Sequence, residues 1–439
     1  MPPALAASSD PVANTAALQQ AIDHAARSDD TRVVVPPGRW EITTLFLRSR
    51  VQLELSLGAV LVAHPDLDRY PVLEAGHNID RQPFHLLCAV DCDDIAITGR
   101  GTIHGNGPVF WQGLVYPDLP WIKARPRRIS PLVEIRRCRR VALRDFSIHD
   151  SPGWTVHLFN CDDVRIDGVT IDNHLFGPNN DGFDLNGCRN VTLSNCTVRG
   201  CDDNIIIKST SDARSSEYIT VTNCVLESNC SAIGLGAETW NSIRHVTVSN
   251  CVVRNAIRVI QIIMWDGGIV EHVAITNITG RALTSLGTDR VIHFDIQQHN
   301  GENPQLGTMR HILVSNVSCE TRGRILLTAQ DGAVMRDITL RDIRLACPEV
   351  EDPAVTVAKS RSTQLSNFSP AARVARAAVV ADNVAGLVLD NIAVTWPDDP
   401  SRIAAPMHGL WTRRLTGARI QCPGLRASHA GIPDHHDEP

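Results

Sequence analysis

Apolar and polar positions alternate in short runs along most of this chain, and one run recurs. By residue class it reads apolar, polar, apolar, polar, Asn or Asp, apolar, polar, apolar, and its clearest copies are residues 191–198, 219–226 and 246–253. Diverged copies begin at Ile95, Val141, Val164, Val273, Ile312, Ile338 and Leu387. The starts at 141, 164, 191, 219, 246 and 273 are spaced by 23, 27, 28, 27 and 27 residues. A repeat of that length with two-residue alternation predicts a coil of short strands stacked on its neighbours, a parallel β-helix, since helical repeats are longer and follow a 3.6-residue period. Longer gaps mark loops inserted into turns. Asn195, Asn223, Asn250 and Asn277 recur at one position between two strands. Asn tolerates the left-handed conformation and its amide can bond to the copies above and below, so a structural Asn ladder is expected there. Cys196, Cys224 and Cys251 follow three of these and are expected to stack as buried thiols.

The first 30 residues follow a different rule. Asn14-Thr15 can cap a helix whose Ala17, Leu18, Ala21, Ile22, Ala25 and Ala26 make one apolar face, ending near Ser28-Asp29. A solenoid has an open end that needs covering, and this helix is the expected cap. Short alternating runs at Arg32–Val35, 40–43, 51–55 and 60–62 read as the first strands. The chain is therefore expected to be all-β and single-domain: a capping segment over 1–30, a catalytic β-helix over 31–422 and a tail over 423–439. Residues 348–382 and the tail carry little periodicity, and His435-His436 is read as flexible chain.

Composition narrows the function. Aromatic residues make up only 5% of the 439, so stacks of Val, Ile, Leu and Ala must supply the core. A net charge of -6 argues against nucleic acid as a partner, and no 18-residue apolar run points to a membrane. Thirteen cysteines without close CxxC pairs point to reduced thiols. The first twelve residues lack a basic start and an apolar run, so a cytoplasmic location is expected.

Chemistry concentrates in one place. Asp181, Asp184, Asp202 and Asp203 fall within 23 residues of Gly- and Asn-rich sequence. Asp202 lies 21 residues after Asp181, close to one coil, so these carboxylates are expected to stack on adjacent turns. Clustered carboxylates repel one another, which is a cost without structural return unless the cluster does chemistry. Asp184 alone reads equally well as a turn residue that accepts backbone N–H bonds. Carboxylates without a nucleophilic Ser or Cys dyad or a His-rich metal set fit hydrolysis of a glycosidic bond. An acid protonates the leaving oxygen while a base activates water on the opposite face. Three carboxylates favour the inverting form. No cofactor and no metal are expected.

These motifs resemble glycoside hydrolase family 28, the polygalacturonase family of inverting, pectin-degrading enzymes with a right-handed parallel β-helix. Asn179-Asn180-Asp181-Gly182 matches the family's Asn-Thr-Asp-Gly, and Gly200-Cys201-Asp202-Asp203 matches Gly-Asp-Asp with Cys201 inserted. Gly101-Thr102-Ile103-His104-Gly105-Asn106-Gly107, Arg125-Pro126, Ser151-Pro152-Gly153-Trp154-Thr155-Val156-His157 and residues 205–209 are similar too. The resemblance covers nearly the whole chain. It implies Asp202 as general acid, with Asp181 and Asp203 as bases positioning the water.

Departures from the family pattern bear on substrate. Ser231 stands where the family commonly has a histidine, ahead of Gly234-Leu235-Gly236-Ala237-Glu238, and Arg258-Val259-Ile260-Gln261 replaces Arg-Ile-Lys. In polygalacturonases that Arg and Lys hold the galacturonate carboxylate, so losing the lysine removes a contact worth about 1.5–3 kcal/mol. Only three lysines occur in the chain, and Lys208 is the one near the carboxylates. It is expected to bind substrate, along with Arg258, Gln261, Glu238, Asn179, Asp184 and Ser231. Trp154, His157, Trp240 and Trp265 are candidates for stacking on sugars or contacting their hydroxyls, burial being an equal reading for Trp154. The stretch 111–128, with Trp111, Tyr116 and Trp121, is too long for a turn and is expected to wall the cleft. The expected function is exo-type release of a terminal sugar from pectin-derived oligosaccharides, rhamnogalacturonan-like or side-chain-bearing in preference to oligogalacturonate. The alternatives are an exo-polygalacturonase, a β-helix polysaccharide lyase, which needs a Lys or Arg base and usually calcium, and a non-catalytic glycan-binding solenoid.

Overall fold

A computed structural model describes residues 5–76, 80–284, 286, 289–298, 305–359 and 369–438. The chain divides into two compact units, residues 1–206 with 212–225, and residues 207–211 with 226–439. No helix among the described residues is long and apolar enough to cross a membrane.

Unit 1 is built of three-stranded coils. One coil runs through Val133–Arg136, Arg139–Arg144 and Ser147–His149, the next through Val156–Phe159, Asp162–Asp167 and Thr170–Asp172. A third follows through Phe183–Asn186, Arg189–Ser194 and Thr197–Gly200. Every strand pairs in parallel with its counterpart on the next coil. Predicted repeat starts stack on one another: Ile95 faces Val141, Val141 faces Val164, Val164 faces Val191, and Val191 faces Ile219. All are buried, so the apolar positions form columns rather than isolated contacts.

In unit 2 single strands run through the corners, as in Ser242–Met264, Ile269–Ala282 and Thr308–Thr321. Here Val246 faces Val273, Val273 faces Ile312 and Ile312 faces Ile338. Each unit is thus a parallel β-helix, as the alternation predicts.

The Asn ladder is present. Asn195, Asn223, Asn250 and Asn277 have φ of 58°, 57°, 56° and 57°. Asn223 Nδ2 donates to Asn195 Oδ1 at 3.3 Å, Asn277 Nδ2 to Asn250 Oδ1 at 2.9 Å, and Asn316 Nδ2 to Asn277 Oδ1 at 2.8 Å. A second left-handed ladder, which the sequence reading missed, precedes each repeat start: Asp94, Arg140, Asp163, Asn190, Tyr218, His245, His272, His311 and Asp337 all have φ between 53° and 59°. Arg140 and Tyr218 break the compositional signal there. Cys196, Cys224 and Cys251 are buried, and all thirteen cysteines are free thiols. Cys92, Cys138, Cys161 and Cys188 form another buried column in unit 1.

The N-terminal helix, α1, spans Pro11–Ala25 and buries Leu18, Ile22 and Ala25. Its cap corrects the expectation, because Asp10, not Asn14-Thr15, accepts the Val12 N–H at 2.9 Å. Asn14, Thr15 and Gln19 instead satisfy the open edge of the first coil. Asn14 Nδ2 donates to Glu41 O (3.2 Å), Thr15 Oγ1 accepts from Thr43 N (3.0 Å), and Gln19 Oε1 accepts from Phe46 N (2.8 Å). An unpaired strand edge needs partners, and the inner face of the helix supplies them.

Two further corrections lie in unit 2. The stretch 348–382 holds two short helices, α2 (Pro353–Lys359) and α3 (Pro370–Val374), and the strand Ala377–Asp382; its residues 360–368 lie outside the described chain. His435-His436, expected as flexible chain, belongs to the strand His435–Glu438, which pairs in parallel with His408–Arg413. Trp411 Nε1 donates to Glu438 Oε2 at 3.1 Å and so ties it down.

Replacing Asn277 with Val should lower stability by about 1–3 kcal/mol, because a β-branched residue resists the left-handed corner and two ladder bonds are lost. Asn277→Gly, which keeps the conformation, should cost less. Urea unfolding midpoints of the two variants check this, and equal losses would place the effect in the hydrogen bonds alone.

Candidate active site

In unit 1 a buried amide network sets the coil that carries Asp181. Asn180 is fully buried and accepts the Cys201 N–H at 2.6 Å, its Nδ2 donates to His174 O at 2.8 Å, and Asn173 Nδ2 donates to Asn180 O at 3.2 Å. This clasps the turn before Asp181 onto the turn before Asp202. Gly182 permits the close approach, since a Cβ there would lie 2.3 Å from Asn204 O and 2.5 Å from Val198 Cγ1. Gly182 N donates to Asp203 O at 2.9 Å, and Phe183 N to Asn204 O at 2.9 Å. Asp181 and Asp203 therefore stand side by side on consecutive coils, at the strand spacing of about 4.8 Å.

Asp202 differs from that pair. It is half-buried, whereas Asp181 and Asp203 are only 3% and 9% exposed. Its Oδ1 accepts the Asp203 N–H at 3.0 Å and its Oδ2 accepts from Asn179 Nδ2 at 3.4 Å. Burial raises the inserted Cys201 thiol well above its ordinary value, and Asp202 and Asp181 push it further. That thiol is a small packed group between two carboxylates.

Sequence reasoning missed Arg128. It is 3% exposed, its Nη2 donates to Asp80 Oδ1 at 2.7 Å and reaches Asn179 Oδ1 at 3.5 Å, and Gly153 leaves room for its Nε. Burial pulls the guanidinium below its ordinary range, while Asp80, Asp181 and Asp202 act in the opposite direction. The Asp80–Arg128–Asn179–Asp202 chain thus sets a buried cation beside the carboxylate cluster. Only its place at the end of the long 111–128 stretch could have signalled it. That stretch is a β-hairpin, Trp111–Tyr116 with Leu119–Ala124, rather than a loop. Trp111 Nε1 donates to Pro152 O at 3.2 Å, its ring lies edge-on to His174, and Trp121 packs edge-on to Phe176, so the hairpin walls the turn that leads to Asn179.

His157 and Trp154, read as sugar-contacting, are 0% and 2% exposed and pack ring to ring at 5.3 Å. Neither offers a face to a sugar. In register, Glu134, His157 and Asp184 form one row, all fully buried. His157 Nδ1 lies 2.7 Å from Glu134 Oε2, and Arg81 Nη2 lies 2.8 Å from Glu134 Oε1. Arg81 and Arg136 both cover the Phe159 ring. Burial alone would raise the Glu134 carboxyl, but His157, Arg81 and His85 outweigh it and hold it well below the ordinary carboxylate range.

In unit 2 Lys208 is 5% exposed and its Nζ lies 3.7 Å from Glu238 Oε2, so two predicted residues meet. Ser231 Oγ donates to Gln261 Oε1 at 2.7 Å, which satisfies the two polar replacements with each other. Arg258 is 4% exposed and its Nη1 approaches Cys230 Sγ at 3.2 Å. Trp240 and Trp265 are half-buried at the ends of their strands.

A model described as glycosyl hydrolases family 28 matches residues 71–363. A probable polygalacturonase of Vitis vinifera is 28% identical over 216 residues, which are 47% of this chain and 43% of that protein. The chain thus spans under half the length of that relative. Among solved structures, an exopolygalacturonase from Thermotoga maritima aligns with a TM-score of 0.64 at 22% identity, covering 76% of this chain and 83% of that one. A family 28 exopolygalacturonase from Yersinia enterocolitica aligns at 0.72 with 16% identity, covering 93% and 75%. These two likenesses show the fold alone.

Glu134→Gln should destabilise the protein by about 3–5 kcal/mol, because it leaves Arg81 and His157 buried against a neutral amide. Glu134 has a folded pKa below its unfolded value of about 4.3, so its stabilisation is present above that pH and fades as pH falls below it. Thermal unfolding from pH 7 to pH 3 should accordingly show a steeper acid loss in the parent than in the variant, and parallel curves would refute the assignment.

Proposed function

Because the chain belongs to glycosyl hydrolases family 28, we propose that it is an inverting glycoside hydrolase that removes terminal sugars from pectin-derived oligosaccharides. One observation carries this reading: Asp181 and Asp203 stand side by side on consecutive coils with the more exposed Asp202 next to them. In the proposed reaction Asp202 protonates the leaving oxygen. Asp181 and Asp203 share a water that one of them deprotonates as it attacks the anomeric carbon from the opposite face. A proton thus leaves the water and another reaches the departing sugar, with no covalent intermediate. Asn179, bonded to Asp202, is the donor placed to orient that acid.

Covered sheet faces support exo action. In unit 1 the row Glu134, His157, Asp184 has no exposed surface. In unit 2 the outward residues Leu326, Val380 and Trp411 are buried with Ala372 and Ala375, from α3 and the residue after it. A sugar chain cannot lie across either row. For substrate, rhamnogalacturonan-like or side-chain-bearing chains are favoured over plain oligogalacturonate, since Ile260 or Gln261 stands where the family carries a lysine and Gln261 is bonded to Ser231. A second reading, exo-polygalacturonase, has its own support in the arginines of unit 2.

Asp202→Asn should lower kcat by about 10²–10⁴-fold with KM nearly unchanged, because the acid acts in the transition state. A loss confined to KM contradicts the assignment. Mass spectrometry of products from a panel of pectic oligosaccharides, with NMR of the fresh anomer, should show single terminal sugars released with inversion. Rapid random cleavage of long unsubstituted polygalacturonate would overturn both the exo and the substrate reading.

A further inference from the structure

A groove of about 470 Å³ opens on the last coils of unit 2, and none of its residues belongs to the candidate active site. Small-ligand sites commonly enclose ~300–1,000 Å³, so a sugar unit fits. The groove is lined by a column: Glu320, Ala346 and Thr395 lie in register near the ends of three successive parallel strands, Thr308–Thr321, Val334–Ala346 and Val388–Thr395. Trp396, Asp398, Asp399 and Arg402 line it further. Backbone bonds hold the two bordering segments together. Cys347 N donates to Thr395 O at 2.8 Å, Val350 N to Arg402 O at 2.9 Å, and Ala404 N to Val350 O at 2.9 Å. Trp396 is pinned by its edge, since Nε1 donates to Arg426 O at 2.8 Å, and its ring is half-buried. Asp399 Oδ1 accepts the Ser401 N–H at 2.9 Å and so fixes the short turn that carries Arg402. Glu320 and Asp398 are exposed.

A fixed indole beside carboxylates and a hydroxyl suits a carbohydrate. The ring packs on the C–H face of a pyranose, the carboxylates accept from its hydroxyls, and the guanidinium donates to its oxygens. Charge selects among sugars: three carboxylates share the groove with one guanidinium, so it is net negative and repels a uronate. A metal ion is a poor occupant, because no three acidic, His or Cys ligand atoms of the groove lie within 4.8 Å of one another among the described residues. We infer that this groove is a second, non-catalytic glycan-binding site that takes neutral sugars. Its ligand class follows from the groove itself. The choice of neutral pectic side chains as the natural ligand rests on the substrate reading above and deepens it. Linked sites raise the local concentration of a polymer, so the groove favours substrates that carry such side chains.

Calorimetric titration of the full chain with β-1,4-linked galactotetraose, a neutral probe, and with tetragalacturonate tests this. Trp396→Ala should weaken galactotetraose binding by about tenfold or more and leave tetragalacturonate unchanged. If Trp396→Ala fails to fold by circular dichroism, Glu320→Ala is the second variant, with a loss of about 3–10-fold expected for galactotetraose alone. No measurable binding of galactotetraose to the parent chain, binding that the folded variant leaves unchanged, or an equal loss for tetragalacturonate would each overturn the site. Asp202→Asn should retain galactotetraose binding, and that binding lost with Asp202 would place the sugar at the carboxylates and overturn the groove. Binding that depends on Trp396 in a chain that hydrolyses no pectic oligosaccharide would defeat the hydrolase reading and leave the groove standing.

Discussion

Everything in this protein depends on the register between neighbouring coils. Parallel strands about 4.8 Å apart place each residue directly against its copy one coil away, so a side chain is judged by the column it joins rather than by its local surroundings. Val, Ile and Leu columns fill the interior, and Asn columns turn the corners by bonding one amide to the next. The same rule sets Asp181 against Asp203 and Arg258 against Arg290. Like charges in one column repel, which makes a charged column the exception that needs a chemical reason.

That rule also explains what the sequence disclosed. The starts at Ile95, Val141, Val164, Val191 and Ile219 were legible because burial forces the same apolar type onto every coil, and all of them pair as expected. The Asn corners were legible because few side chains accept φ near +57°. The ladder before each repeat start was not, since Arg140 and Tyr218 take the same backbone conformation as Asp94 and Asn190 there. Copies at that corner meet through mixed side-chain pairs, Arg140 with Asp94 and Asn190 with Asp163, so no single residue type marks it.

Candidate site residues divide along the same line. Asp181, Asp202 and Asp203 were singled out because they sit in compact motifs. Arg128, Arg81 and Glu134 were not, because each gains its meaning from partners far along the chain: Asp80 and Asn179 for the first, and a shared contact for the other two. His157 was read as a candidate for sugar stacking or hydroxyl contacts and is instead the buried partner of Glu134. Trp154 follows it into the core. Neither residue type nor spacing reveals that an outward-facing strand position is covered by a distant segment, and here both units cover theirs.

The covering segments give the buried charges their setting. In unit 1, Arg81 closes over Glu134 and His157, and opposite charges compensate one another within hydrogen-bond distance. That cluster pairs its carboxylate with Arg81 and His157 on a covered face. In unit 2, α3 lies over Leu326 and Val380, and Arg324 is met only by backbone oxygens, while Arg258 and Arg290 meet no carboxylate side chain. Low dielectric magnifies both situations, because each charge interaction there is stronger than it would be in water. Two buried charge clusters built by the same stacking rule therefore differ in what meets their cations, a carboxylate within hydrogen-bond distance in unit 1 and backbone oxygens in unit 2.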